Sequence, residues 1–483
     1  MSFRITLSLL IFALLNTPAA AQQKWNLLQC VQYAMDSSIS VKQSQVQELV
    51  AGINYKQSKL SKYPNANFSN NDGYRFGKSQ NPSTGILESQ NFFSVGLNFQ
   101  TSVEIFNWYS KRNTILANQW EMQAAKAGTD KLKNDLALTV ANAYLQILLA
   151  KAQVQIAEVQ LSQSAIQFNT INKQVKAGAL PELNSVELEA QVARDSANLI
   201  SAKGNVEQTK LVLKSIMNLD AAVPFEIEDA GADKIVVEKI SDLQPEYVYS
   251  LALKNLPEQR IHDYRIKAAE KNSLAAKGAL YPTISGYGSL GSNYGYFRTP
   301  TFSQVFSGYQ PSGLVINNGA GGFTDVQRPV FTQGAKSGFF TSDKLSTQLN
   351  DNFGQSIGIN ISVPIFNGWS ARAGYARSKL NIATLVLQKE LDDKTIKQDI
   401  YQAYNAAVVA LEKFSSSKKS VDAAQKSFDY ATKRFNIGML SNLELTTNQN
   451  NLFRAKLEYV LNEFDYLFKM KVLEYYKGAG LKF

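Results

Sequence analysis

A strand that passes directly into a very long helix occurs twice in this sequence. Glu104-Ile105-Phe106-Asn107-Trp108-Tyr109-Ser110-Lys111-Arg112 returns, 260 positions on, as Pro364-Ile365-Phe366-Asn367-Gly368-Trp369-Ser370-Ala371-Arg372. Before the first copy, Phe93, Val95, Leu97, Phe99, Val103 and Ile105 alternate with Ser94, Gly96, Asn98, Gln100, Ser102 and Glu104. Period two gives one apolar and one polar face, and thirteen residues reach roughly 43 Å, enough to cross a bilayer on a tilt. After it, Phe106 to Lys176 holds no proline and one glycine, Gly128, and its apolar positions step by three and four through Val154, Ala157, Leu161, Ala165, Phe168, Ile171 and Val175. A helix of that length is a rod of roughly 105 Å, which must lie against other rods.

The rest of the first repeat follows from local signals. Residues 25–62 read as helix interrupted near Ser37 to Ser40 and stopped by Tyr63-Pro64. Asn65 to Phe76 turns to Asn, Ser, Gly and aromatics, and Asn81-Pro82-Ser83-Thr84-Gly85 is a turn, so a β-hairpin spans about 64–105. Ala177-Gly178-Ala179-Leu180-Pro181 reverses the long helix. Beyond it Leu183, Val186, Ala190, Ala193, Ala197, Ile200 and Gly204 form a seam of small residues suited to close helical packing.

The second repeat matches at two offsets. Ala252, Tyr281 and Pro282 answer Ala34, Tyr63 and Pro64 at 218, whereas Phe353, Ile365, Arg372, Tyr404, Gly438 and Leu443 answer Phe93, Ile105, Arg112, Tyr144, Gly178 and Leu183 at 260. The difference, 42 residues, is inserted inside the second hairpin, about 282–365. The Gly-, Ser-, Thr- and Pro-rich stretch of about 297–345 is expected there as a long surface loop. The division is then 1–21, 22–218, a connector at 219–244, 245–477, and a tail at 478–483. The first segment, with Arg4, an apolar core from Ile5 to Leu15 and Ala19-Ala20-Ala21, reads as a secretory signal peptide.

Other function classes find little support. The net charge of +10 is scattered among acids, which argues against nucleic acid. Cys30 is the only cysteine and reads as a small buried apolar residue. His262 is the only histidine and reads as an exposed helical residue. With no cysteine pair, nucleophile elbow or phosphate-binding loop, the chain reads as a non-enzyme that needs no cofactor or metal.

The strands themselves demand a partner. Two hairpins make four strands, and single-chain membrane barrels start at about eight. An open sheet in lipid leaves backbone groups unpaired at both edges, so other copies of the chain must complete it. Two copies would give a filled barrel and three a barrel of about twelve strands, wide enough for a passage.

Signal peptide, duplicated hairpin-plus-helices and the tip Arg434-Phe435-Asn436-Ile437-Gly438-Met439-Leu440-Ser441-Asn442-Leu443 together resemble the TolC-like outer-membrane efflux family. The resemblance implies an α plus membrane-β fold: a homotrimer whose twelve-stranded barrel sits in the outer membrane of a Gram-negative bacterium and continues into a helical tunnel through the periplasm. It also implies docking on a periplasmic adaptor and, indirectly, on an inner-membrane pump, with export of small molecules or secreted proteins. By that resemblance the turns at 177–183 and 437–443 dock the adaptor through Gly178, Pro181, Leu183, Arg434, Gly438, Ser441 and Leu443. The first turn has Gln174 and Pro181 where the second has Arg434 and Ser441, so the second is expected to dominate. Glu444, Thr447 and Glu187 are the expected aperture lining; only Glu444 of the second pair is acidic, and it could equally be a helix-start glutamate. Phe93, Val95, Leu97, Phe99, Ile357, Ile359 and Ile361 are expected to face lipid, with Trp108 and Trp369 as interfacial anchors. A periplasmic coiled-coil adaptor or stalk would explain the rods but not two repeated amphipathic hairpins.

Overall fold

The computed structural model describes residues 24–80, 87–89, 91–228, 237–296, 298–317, 319 and 321–478. The proposed signal peptide, the turn at Asn81 to Gly85 and the last five residues lie outside them. The chain divides into two compact units: Met1–Lys56 with Thr114–Ser273 and Ala376–Phe483, and Gln57–Asn113 with Leu274–Tyr375.

In chain order the elements are α1 (Leu27–Ser37), α2 (Ile39–Leu60), β1 (Asn65–Arg75), β2 (Lys78–Gln80), β3 (Leu87–Ser89), β4 (Phe92–Phe106), α3 (Ser110–Lys176) and α4 (Glu182–Ile216). There follow α5 (Pro245–Asn255), α6 (Pro257–Gly278), β5 (Thr283–Tyr296), β6 (Arg298–Asn317), β7 (Phe323–Thr341), α7 (Leu345–Asp351), β8 (Gly354–Ser362), α8 (Ser370–Asn436) and α9 (Asn442–Tyr476). The expected break at Ser37 to Ser40 falls between α1 and α2. The two rods α3 and α8 have 67 residues each, and α4 and α9 have 35 each, so the duplication extends to helix length. At 1.5 Å per residue each rod is about 100 Å long.

The helical unit is built on equivalent core positions. Cys30 and Val248, Ala34 and Ala252, Val140 and Ile400, Ile147 and Ala407, and Leu213 and Leu473 correspond in the two repeats, and all ten are fully buried. Short helix, long helix and return helix of each repeat therefore bury the same faces, α1 on α3 and α4 in one cluster and α5 on α8 and α9 in the other. Cys30 sits where its counterpart is valine, and burial pushes its thiol up to about 12, so it stays a neutral apolar residue. The connector is tied down by lysines: Lys214 Nζ donates to the carbonyls of Ala221 and Val223 at 2.5 and 2.6 Å, and Lys210 pairs with Glu226 at 2.5 Å. Trp25 and Ile227 form a parallel bridge beside it.

His262 departs from expectation. Its side chain is 11% exposed, and Nε2 lies 2.8 Å from Asp392 Oδ2. Beside it Lys389 reaches Asp263 at 2.6 Å and Gln259 reaches Asp393 at 2.6 Å, so one face of α6 is clasped to α8 by three polar contacts. The neighbouring rod, invisible in a helical pattern, is what covers the imidazole.

In the other unit, β1, β4, β5 and β8 form one antiparallel sheet in the order β1-β4-β5-β8. Its register separates the two faces except in β1, where Asn70 and Asp72 stand opposite Leu97 and Val95. Phe99 stands opposite Phe68 and Leu290, Phe93 opposite Tyr74 and Tyr296, and Val103 opposite Gly286, which itself stands opposite Ile359. Ser94, Asn98, Gln100 and Ser102 stand opposite Gly73, Ser69, Asn67 and Asn65 on the other face. Tyr287 is the aromatic exception there, and its ring covers Gly358, where an added Cβ would lie 2.6 Å from the hydroxyl.

Two expectations are corrected in this unit. The stretch about 297–345, read as a long surface loop, contains a long two-stranded ribbon, β6 with β7, followed by α7. Glycine and proline masked it: Pro311 and Pro329 lie within the strands, where two-stranded ribbons tolerate them at unpaired edges, and four register breaks interrupt the pattern. The strand expected to run to Ile365 ends at Ser362, because β8 pairs only with β5, which begins at Thr283.

Candidate functional site

The candidate site has two parts: the turns that close the helical hairpins, and the apolar face of the sheet with its joints. Each is set by a local backbone requirement.

Gly178 and Gly438 end α3 and α8 with φ of +74° and +76°. In each, the amide of the glycine donates to the carbonyl three residues back, Val175 or Phe435, and the next amide donates five back, to Gln174 or Arg434, all at 2.9 Å. This Schellman arrangement satisfies carbonyls that the helix end leaves open. No atom lies within 4 Å of a Cβ added at either glycine, so the left-handed backbone, not crowding, selects them.

The turns differ in how the following helix starts. At the second, Ser441 and Glu444 form a reciprocal capping box: the Glu444 amide donates to Ser441 Oγ at 3.3 Å, and Glu444 Oε2 accepts from the Ser441 amide at 3.0 Å and hydroxyl at 2.8 Å. Those hydrogen bonds, with a smaller contribution from Arg434, hold the Glu444 carboxyl below the usual carboxylate range. Glu444 is therefore a helix-start residue, and it is exposed. Thr447 donates its hydroxyl to the Leu443 carbonyl at 2.8 Å. At the first turn Pro181 caps α4 without a side-chain hydrogen bond. Around both turns the apolar side chains Leu183, Ile437, Met439 and Leu443 are exposed, as are Arg434 and Glu187.

Behind the turns lies a polar layer that the pattern did not reveal. Gln160 and Ser164 of α3, Gln191 and Asp195 of α4, and Gln449 of α9 are all buried. Gln191 donates to Asp195 at 3.0 Å and to Asn450 at 3.3 Å, and Gln160 donates to Asn450 at 3.4 Å. Both polar atoms of the Gln449 amide, and Asp195 Oδ2, have no hydrogen-bond partner among the described residues. Polar residues inside an otherwise apolar step of three and four were the available signal. The seam from Leu183 to Gly204 faces the opposite way: Leu183, Val186, Ala190, Ala193, Ala197, Ile200 and Gly204 are exposed, while α4 packs through Leu188, Gln191, Asp195, Val206 and Leu213. Its expected packing is not made within the chain.

The sheet places the predicted apolar residues together. Phe93, Val95, Leu97 and Phe99 share a face with Ile357, Ile359 and Ile361, and those three isoleucines are 92%, 68% and 63% exposed. At the joints the chain enters its rods through left-handed residues, Trp108 and Tyr109 in the first and Gly368 and Trp369 in the second. The first joint is packed: the Trp108 ring lies 4.7 Å from Tyr281 and 5.5 Å from Phe106, and Lys111 bridges Glu104 at 3.2 Å and the Ser61 carbonyl at 2.7 Å. Pro364 and Ala371 replace that ion pair in the second joint, which leaves a cavity of about 340 Å³ beside Leu280, Phe366 and Arg372.

A sheet built from two repeated hairpins, together with two pairs of long helices that end in exposed turns, defines an outer-membrane channel component. The outer membrane efflux protein family model matches residues 31–219 and 335–470, and the chain belongs to that family. It is similar to the outer membrane efflux protein BepC of Brucella suis, 20% identical over 80% of this chain and 73% of that protein. It is also similar to the alkaline protease secretion protein AprF of Pseudomonas aeruginosa, 22% identical over 71% of this chain and 62% of that one. Among solved structures CusC shares the fold, with a TM-score of 0.72, 16% identity and coverage of 95% of this chain and 93% of its own.

Proposed function

We propose that three copies of this chain form an outer-membrane exit duct: a twelve-stranded barrel continued by a helical tunnel that receives cargo from a periplasmic adaptor. The observation that carries this reading is the sheet, which has an apolar face, interrupted in β1 by Asn70 and Asp72, and two unpaired edges, β1 and β8. In lipid each unpaired backbone group costs several kcal/mol, so the edges require strands from further copies. The exposed seam of α4 supplies helical surface of the same kind for neighbouring copies.

Passage is passive, and the polar sheet face with Ser94, Asn98, Gln100, Asn360 and Ser362 lines it, while Phe93, Val95, Leu97, Phe99, Ile357, Ile359 and Ile361 meet lipid. Trp108 and Trp369 anchor the barrel at the membrane interface. The turns at Gly178 and Gly438 dock the adaptor, the second more strongly because its cap is rigid and Arg434 stands beside it. Glu444 of three copies forms a ring that favours cations by focusing like charge, with Thr447 and Glu187 near it. An inner-membrane pump drives transport through the adaptor. BepC is named for efflux and AprF for protease secretion, so this fold specifies a conduit rather than a cargo.

The test is export by cells that depend on this chain. Gly438→Arg is expected to abolish export while heat-sensitive trimers persist in the outer membrane; export at the wild-type level would refute docking through this turn.

A further inference from the structure

A recess of about 760 Å³ runs along α3 between α2 and α6. Ser44, Gln47 and Asn54 stand on its α2 side and Arg265 on its α6 side, and Ala124 and Gly128 of α3 form the floor. Gly128 is the only glycine of a 67-residue helix. No atom lies within 4 Å of a Cβ added there, and a glycine inside a helix costs about 1 kcal/mol relative to alanine, so neither crowding nor helix stability accounts for it.

The duplication supplies an internal comparison. At the repeat offsets Gln388 stands at the position of Gly128, His262 at that of Ser44 and Asp392 at that of Leu132. In the second repeat these side chains bridge the seam of α6 and α8: Gln388 donates to Asp392 at 3.0 Å, and His262 lies 2.8 Å from Asp392. In the first repeat glycine, serine and leucine make no such bridge, and the recess stands in its place.

Its polar groups are uncommitted. Gln43, Gln47, Asn54 and Asn118 line it without a side-chain hydrogen bond to any described residue, and Glu121 and Arg265 have neither a hydrogen bond nor an ion pair there. Burial raises the Glu121 carboxyl above the ordinary carboxylate range, and the charge of Arg265 offsets only part of that. At the other end Lys131 pairs with Asp135 at 3.0 Å and Tyr475 donates to Asp135, so those charges are satisfied. A guanidinium and a carboxylate left open among neutral amides match a molecule that carries both charges and amides of its own. We propose that this recess binds zwitterionic molecules of the size of a short peptide, with the ligand carboxylate on Arg265, its ammonium on Glu121 and its amides on Gln43, Gln47, Asn54 and Asn118.

The same stripe of α3 continues beyond the recess. At 100° per residue Thr139, Asn142 and Gln146 fall within about 40° of Gly128 around the helix. Thr139 and Gln146 are exposed, whereas Val140, Ala141, Tyr144 and Leu148 are buried, three of them in the cluster that α1 and α4 share with α3. This face of α3 therefore stays open where the others are covered, and in an assembled duct it is the inner wall. The recess is then a station for polar cargo in the passage, where binding must be weak enough to allow release. The site itself needs one chain, but its place in the passage rests on the duct reading.

Calorimetry on the purified full chain in detergent, with the dipeptide alanyl-glutamine as probe, is expected to show saturable binding. The same peptide acetylated at its N-terminus and amidated at its C-terminus is expected to bind about tenfold more weakly or worse, as is the free peptide to Arg265→Gln or Glu121→Gln. Gly128→Gln sets the second repeat's residue on the floor and is expected to abolish binding. Its thermal midpoint should hold or rise, since glutamine is the better helix former. No saturable binding to wild type, equal binding of the free and blocked peptides, or wild-type affinity in Gly128→Gln overturns the site. In planar bilayers alanyl-glutamine is expected to interrupt single-channel current through wild type but not through Gly128→Gln. Uninterrupted current through a chain that binds the peptide overturns its place in the passage. Conductance without binding leaves the duct and removes the site; binding without conductance does the reverse.

Discussion

Single residues at the turns have measurable consequences because each is fixed by one physical requirement. Gly438→Ala keeps the space but strains the backbone at φ +76°, and should cost about 1–2 kcal/mol in denaturant unfolding. Gly178→Ala should cost the same, since its φ and hydrogen bonds match. Ser441→Ala removes the hydroxyl's two bonds to Glu444 while the backbone half of the capping box remains, and should cost about 1 kcal/mol, whereas Pro181→Ala removes no side-chain cap and should cost less. The cap also carries a pH signature. The folded-state pKa of Glu444 is depressed, so its contribution is fully present above the unfolded value near 4.5 and is lost as pH falls through the lower folded one. The stability difference between wild type and Glu444→Gln should therefore shrink in acid; a difference that stays constant from neutral pH down would exclude the charged cap.

At the scale of elements, the helices are held by equivalent apolar positions and distinguished by polar ones. The pairs Val140 and Ile400, and Leu213 and Leu473, explain why both repeats fold alike. The layer at Gln160, Gln191, Asp195 and Gln449 has no such symmetry, because Gln449 and Gln191 correspond to Glu189 and Asn451. A buried amide with both atoms unpaired forfeits about 1–3 kcal/mol. Gln449→Met should therefore be neutral or stabilising by up to about 2 kcal/mol in thermal unfolding, and a marked loss would mean that the amide is engaged in the assembled protein. The clasp of α6 on α8 behaves differently: His262→Ala leaves Asp392 without its partner and opens a gap beneath it, with an expected cost of about 1–3 kcal/mol. Elements of mixed composition were the hardest to read. The β6 and β7 ribbon contains glycine and proline and its register is broken at four places, so beyond the Phe306, Tyr309 and Phe331 cluster its strands are held by mutual backbone pairing that no side-chain period records.

For the whole molecule, the prediction concerns the aperture: in single-channel recordings Glu444→Gln should weaken cation selectivity and cation block, and unchanged selectivity would reject a charged ring there. Much of the fold was legible because the chain states it twice. The period-two run at Phe93 to Ile105, the proline-free rods and the turns at Gly178 and Gly438 follow from local chemistry, since backbone sterics and side-chain alternation act over a few residues. The duplication, with its offsets of 218 and 260, even transmits the strand register of one hairpin to the other. The direction in which a helix turns its apolar stripe was not legible. The small-residue seam of α4 points outward, His262 lies under α8, and Gln449 is enclosed between rods, all because burial depends on which distant surface arrives and not on the residues that receive it. The sequence by itself determined the elements, their duplication and the two faces of the sheet. The tertiary structure alone decided which faces the chain covers for itself, and so which edges it leaves for another copy.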